Sequence, residues 1–231
     1  MFDAGGQVAV VCALTGARGV GKTQLAAAYA RQQAAAGCPL VAWVSAETTD
    51  NLVADLDEVA RAVGVADPEG DSTTSAVRLC THLQTRQDPA LLVIDNAADA
   101  DQVRRFIPVT GASQVIVTST DQAVAQLGYL VKVSVFNRAQ SLTYLRSRTG
   151  LDDDEGADRV AEELGDLPLA LAQDASVIQL QKISYADYLI RLRSMPVAEA
   201  LPRRRGDPYP RGRLKPSCCR SRQPRTTTSH A

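Results

Sequence analysis

The segment Gly16-Ala17-Arg18-Gly19-Val20-Gly21-Lys22-Thr23 constrains this chain more than any other. It fills every fixed position of the pattern G-x-x-x-x-G-K-[ST]. It lies between a valine-rich apolar run, Gln7 to Leu14, and a helical pattern that starts near Lys22 and runs to about Ala36. A buried strand that turns through glycines into a helix is the setting this pattern needs. Glycines reach backbone conformations that a Cβ resists, so successive N–H groups can converge on one anion. The helix N-terminus adds its partial positive charge. Lys22 brings an ammonium suited to the β- and γ-phosphates, and Thr23 a hydroxyl suited to Mg²⁺, which prefers oxygen ligands. The implied ligand is a nucleoside triphosphate, held by Gly16, Arg18, Gly19, Val20, Gly21, Lys22, Thr23 and Gln24. Arg18 also reads, more simply, as an exposed loop arginine.

The rest of the first half repeats the same alternation. Leu40 to Ser45, Leu91 to Asp95, Gln114 to Val117 and Tyr129 to Val135 read as strands. Asn51 to Val63, Ser75 to Gln84, Asp101 to Phe106 and Asp121 to Leu127 read as helices, with Asp67 to Thr74 as a polar loop. Strands alternating with helices imply a parallel sheet covered on both faces, an α/β architecture. After Phe136 the strand signal stops. Helical stretches follow at Ala139 to Arg148 behind a capping Asn137, at Gly156 to Leu164, at Leu169 to Leu180 and at Tyr185 to Arg193. The expected organisation is an α/β nucleotide-binding domain over residues 1–136, a helical subdomain over 137–200 and a basic tail over 201–231.

Asp95 closes the apolar run Leu91-Leu92-Val93-Ile94. An aspartate at the tip of a buried strand can reach the Thr23 hydroxyl and share Mg²⁺ with it, the Walker B role. The alternative is a cap for the helix that follows. Asn96 stands where a water-polarising carboxylate would promote hydrolysis. An amide can orient a water but is a poor proton acceptor, so slow hydrolysis is expected, with Lys22, Asp95 and Asn96 as the residues closest to any chemistry. Thr118, Ser119 and Thr120 end the fourth strand, where a side chain such as Ser119 can sense the γ-phosphate or cap the next helix.

Composition narrows the class. The chain is 45% hydrophobic and only 4% aromatic, which suits an aliphatic core of helices on a parallel sheet. No apolar run is long enough to cross a bilayer, and Met1 to Gln7 lack a secretory pattern, so no membrane role and a cytoplasmic location are expected. Cys12, Cys38, Cys80, Cys218 and Cys219 follow no metal-ligand spacing. The net charge of −1 hides an asymmetry: nine of the 25 basic residues and one of the 26 acidic ones lie from Leu201 onward. That leaves 16 basic against 25 acidic residues in the body, a balance of −9.

Taken together these segments resemble the NB-ARC domains of the STAND class of signalling NTPases, in the bacterial form often joined to tetratricopeptide repeats. The resemblance rests on Leu14-Thr15-Gly16 through Thr23-Gln24-Leu25-Ala26, Val41-Ala42-Trp43-Val44-Ser45-Ala46, Leu91 through Ala97, Val115-Ile116-Val117-Thr118-Ser119, and Gly165-Asp166-Leu167-Pro168-Leu169-Ala170-Leu171. It spans residues 8–212. It implies a P-loop NTPase with a five-stranded parallel sheet in the order 2-3-4-1-5 and a small C-terminal helical bundle. It implies that Pro168 packs on adenine, which favours ATP and ADP, and that bound ADP holds a closed state while ATP permits self-association.

The chain also departs from that family's pattern. Thr120 replaces a usual arginine, and Asp166 a frequent glycine. From Arg213 the sequence loses apolar periodicity, as if translation had left an ancestral frame and yielded a truncated product. The rival reading of the tail is an arginine-rich arm for nucleic acid, which lone tails of this kind seldom are. The sequence therefore points to the ATP/ADP-binding module of a signalling switch with Mg²⁺ and slow hydrolysis at most. The alternatives are a competent P-loop ATPase or kinase, and a degenerate interaction module without turnover.

Overall fold

The structure is a computed structural model and describes residues 9–194. The basic tail over 201–231 lies outside the described residues. The chain divides into two compact units between Ser134 and Val135.

In the first unit the chain alternates strand and helix: β1 (Val10–Thr15), α1 (Lys22–Ala35), β2 (Leu40–Ser45), α2 (Thr49–Ala62), α3 (Ser72–Thr85), β3 (Ala90–Asp95), α4 (Ala100–Arg104), β4 (Ser113–Ser119), a 3₁₀ helix (Gln122–Leu127) and β5 (Tyr129–Lys132). The strands form one five-stranded sheet in the order β2-β3-β4-β1-β5. Each neighbouring pair is parallel. The register matters more than the order. Ser45 lies opposite Asp95, Ile94 opposite Val117, and Thr15 opposite Ser119. The polar ends of four strands therefore finish along one edge of the sheet, where ligands of open α/β sheets bind.

Burial explains why β3 reads as an unbroken apolar run. Ala90 to Ile94 are all buried, because helices cover both faces of the sheet. Leu92 and Ile94 face a core shared with Val44, Leu52, Leu56, Leu79 and Val117. Leu91 and Val93 face the opposite core, with Leu14, Ile116 and the small residues Ala26 and Ala30 of α1. Period-two alternation along one strand thus feeds two layers.

Three elements differ from the sequence reading: β5, expected to reach Val135, ends at Lys132, and Val135 already belongs to the second unit. The polar stretch expected to be a loop up to Thr74 already contains the first turn of α3. Asp71 caps that turn by accepting from the Thr74 N–H at 2.6 Å, and serine and threonine are tolerated beside such a cap. The helix expected over Asp121 to Leu127 is 3₁₀ in form. It ends at Gly128, where a Cβ would stand 2.4 Å from the Val11 carbonyl oxygen, so the chain passes close against β1.

The second unit consists, among the described residues, of α5 (Arg138–Thr149), α6 (Asp154–Glu163), α7 (Pro168–Gln181) and α8 (Tyr185–Ser194). Asn137 starts α5 with a capping box completed by Gln140. Leu145, Val160, Leu171, Ile178 and Leu189 form its core around Tyr185, which is fully buried and keeps its hydroxyl paired with Thr149 Oγ1 at 2.7 Å. Among the described residues no helix is long and apolar enough to cross a membrane.

Ile94→Ala should destabilise the first unit by about 2–5 kcal/mol, since it empties a fully buried site next to Asp95. Chemical denaturation followed by circular dichroism measures this.

Candidate nucleotide-binding site

The loop between β1 and α1 has the form its residues demand. Gly16, Gly19 and Gly21 all have positive φ, at 152°, 84° and 99°. At Gly16 a side chain is excluded by backbone, because an added Cβ would lie 2.1 Å from the Val133 carbonyl oxygen. Val133 is itself fixed, its N–H donating to the Thr15 carbonyl at 2.7 Å. Gly21 differs: a Cβ there would meet nothing within 4 Å, and it is the left-handed backbone that requires glycine.

Gly21 is also the N-cap of α1. No side chain caps this helix, and its first turn carries no acidic residue. The first-turn N–H groups and the positive end of the helix dipole thus face the loop without an internal anion. α2, α3, α4, α5 and α6 each have a side-chain cap, whereas α1, like α7, has none; at α1 the open N-terminus directly follows the glycine loop and begins with Lys22, which suits a phosphate ligand.

Lys22 is buried, and its Nζ donates to the carbonyls of Gly16 at 2.8 Å and Ala17 at 2.9 Å. The ammonium is thereby held inside the loop. Burial pushes its pKa below the ordinary lysine value, the Asp95 carboxylate opposes that shift, and the Arg18 cation adds to it. An incoming polyphosphate would compensate for the hydration that burial removes.

Asp95, at the tip of β3, accepts from two hydroxyls on the same oxygen. Thr23 Oγ1 donates to Oδ1 at 2.9 Å, and Thr118 Oγ1 donates to it at 2.5 Å. The alternative role of Asp95 as a helix cap is not what the structure shows. Asp99 caps α4, accepting from the N–H groups of Asp101 and Gln102. A hydroxyl and a carboxylate at this spacing are the hard oxygen donors that Mg²⁺ takes, and so small a protein set leaves positions for water and phosphate. Thr23 and Asp95 therefore fit that ion.

The other expected residues divide. Asn96 has a left-handed backbone at φ 62°. Its N–H donates to Thr118 Oγ1 and its side-chain amide donates to Glu47 Oε1, each at 2.9 Å. Ser119 is buried, donates to the Ala97 carbonyl at 2.6 Å and accepts from the Asp121 N–H, so its hydroxyl is engaged in tying β4 to the turn after β3. Val20 is buried and contributes backbone to the loop, while Arg18 and Gln24 are exposed.

Pro168 belongs to the second unit, as the first residue of α7 behind the N-cap Leu167. Proline suits that position because its missing N–H has no helical partner there. Two residues earlier, Asp166 has φ 55°, a left-handed backbone that glycine would adopt without strain. Here a side chain is used instead. Arg138 grips the Asp166 carboxylate with two bonds, Nε to Oδ1 at 2.9 Å and Nη2 to Oδ2 at 3.0 Å, and reaches Asp158 Oδ1 at 2.8 Å. The guanidinium holds the Asp166 carboxyl below the usual range although burial works the other way. Sequence reasoning passed over Arg138, Glu47 and the collision at Gly16, since each depends on a partner distant along the chain.

A parallel sheet in this order, with a glycine loop and buried lysine after β1 and an aspartate ending β3, defines a P-loop NTPase fold. The chain belongs to the AAA domain family, whose profile matches residues 7–124. It is similar to the regulatory protein AfsR of Streptomyces griseus, with 31% identity over 186 residues, covering 76% of this chain and 19% of that protein. It is also similar to a nucleotide-binding leucine-rich repeat (NLR)-like protein of Hyaloscypha variabilis, with 27% identity over 207 residues, covering 77% of this chain and 20% of that protein. The chain thus spans about a fifth of the length of these relatives. Among solved structures, AMPPCP-bound DnaA from Aquifex aeolicus shares the fold, with a TM-score of 0.55 at 13% identity, covering 81% of this chain and 61% of that one.

Because the folded pKa of Lys22 is lowered, the unfolded chain binds more protons than the folded one between that pKa and the ordinary lysine value. Stability should therefore rise with pH across that alkaline window and be insensitive to Lys22 titration at neutral pH. Urea unfolding of wild type and Lys22→Met across pH measures it: the difference should move in favour of wild type as pH climbs.

Proposed function

We propose that this chain is the ATP- and ADP-binding module of a signalling switch of the STAND/NB-ARC type, with slow hydrolysis. The observation that carries the reading is the uncapped, acid-free N-terminus of α1, opened by Gly21 and flanked by the buried Lys22 and the Thr23–Asp95 pair. In this reading Gly16 to Thr23 wrap the phosphates with backbone N–H groups, and Lys22 exchanges its two carbonyl partners for phosphate oxygens. Thr23 and Asp95 would hold Mg²⁺, which supplies charge neutralisation on the phosphates when bound. Thr118, already bonded to Asp95 and to the Asn96 N–H, would report changes at the metal site to the turn after β3.

Slow hydrolysis follows from Asn96, whose amide cannot take a proton from water. The relative AfsR, a regulatory protein by name, supports a signalling role over a metabolic one, and the NLR-like relative, nucleotide-binding by name, supports nucleotide binding. A nucleotide can drive such a switch only if it binds the two states differently, and self-association with ATP but not ADP is the form expected here.

Steady-state turnover of ATP with Mg²⁺ tests the reading. We expect less than about 1 s⁻¹, below the range of ordinary enzymes. Turnover of about 10 s⁻¹ or more, abolished by Lys22→Ala, would instead make the chain a competent ATPase.

A further inference from the structure

We propose that Glu47 is the carboxylate that activates the attacking water, replacing the one absent at position 96. This rests on the reading that Gly16 to Thr23 bind ATP.

Two anchors fix Glu47 in place. On one side, the Ala46 N–H donates to the Asp95 carbonyl at 2.7 Å, and the Ala46 carbonyl accepts from the Ala98 N–H at 3.2 Å. On the other, Thr48 caps α2, its hydroxyl accepting from the Asn51 N–H at 3.1 Å. Upstream, the Ser45 N–H donates to Asp55 Oδ2 at 2.7 Å, which ties the end of β2 to α2. Glu47 is the one residue between a strand end locked to β3 and a capped helix start.

Its carboxylate then meets Asn96, whose amide Nδ2 donates to Oε1 at 2.9 Å. Asn96 adopts a left-handed backbone that asparagine tolerates better than most residues. Such conformations gather at functional sites when their surroundings hold them. Here they are held by the Asn96 N–H to Thr118 bond and the Ala97 N–H to Thr118 carbonyl bond at 2.8 Å. Asn96 directly follows Asp95, which touches Thr23 in the phosphate loop. A chain of hydrogen bonds therefore runs from the loop through Asp95, Thr118 and Asn96 to Glu47, and Glu47 supplies the proton acceptor that the amide lacks.

The step balances as hydrolysis. The water oxygen bonds to the γ-phosphorus while the bond from that phosphorus to the β–γ bridging oxygen breaks. The water proton passes to the Glu47 carboxylate, and ADP and phosphate leave. Asn96 is a positioning residue: its amide orients the carboxylate but also draws on the electron pair that must take the proton, which keeps the step slow.

Single-turnover ATP hydrolysis and nucleotide affinity, measured together on three proteins, test this. Glu47→Gln should slow hydrolysis at least about tenfold, within the usual contribution of a general base, while ADP and ATP affinities stay within about threefold of wild type. The double variant Glu47→Gln/Asn96→Asp exchanges amide and carboxylate across the same bond, and it should recover a substantial part of the lost rate. A Glu47→Gln rate equal to wild type, a double variant no faster than Glu47→Gln, or wild-type protein that binds ATP without hydrolysing it would each overturn the inference. Failure of wild-type protein to bind either nucleotide would overturn the nucleotide reading, and this inference with it.

Discussion

Asp95 Oδ1 accepts from Thr23 and from Thr118, and the site depends on that convergence. One hydroxyl opens the helix after the phosphate loop, and the other nearly ends β4. They meet because parallel register brings the ends of β1, β3 and β4 to one edge of the sheet. The register is enforced by burial, since a one-residue slip of β3 would exchange the two core faces that Leu92 and Ile94, and Leu91 and Val93, fill separately. The aliphatic core and the polar edge are thus two consequences of one alternation.

Much of this was legible in the sequence because it is local. The loop is spelled out between a strand and a helix, and β3 with its terminal aspartate stands as an apolar run closed by one charge. Asn137 announces the start of α5, and the structure adds Gln140 as its capping-box partner. The order β2-β3-β4-β1-β5 came from resemblance, because apolar alternation alone does not say which strands are neighbours. What stayed hidden depends on long-range partners. Glu47 looks like an ordinary surface acid until β2 lies beside β3 and Asn96 turns toward it. The fate of Ser119 was undecided in the sequence, and its hydroxyl is taken by the Ala97 carbonyl and the Asp121 N–H.

Asp166 shows how an unfavourable backbone conformation can be absorbed. A left-handed residue ahead of Pro168 favours glycine, yet an aspartate sits there with its carboxylate gripped by Arg138. The pairing links the turn before α7 to the first residue of α5 inside the second unit, and the same guanidinium also reaches Asp158 on α6. The side chain that makes the backbone less favourable is also the one that holds the turn in place.

The central claim is that the loop from Gly16 to Thr23 binds adenine nucleotides. Isothermal titration calorimetry of ADP and ATP with Mg²⁺ tests it most directly. The account predicts measurable binding of both by wild type, weakened at least about tenfold in Lys22→Ala, which is about 1.4 kcal/mol or more. Absence of binding heat and of any thermal shift in a folded wild-type protein would contradict it.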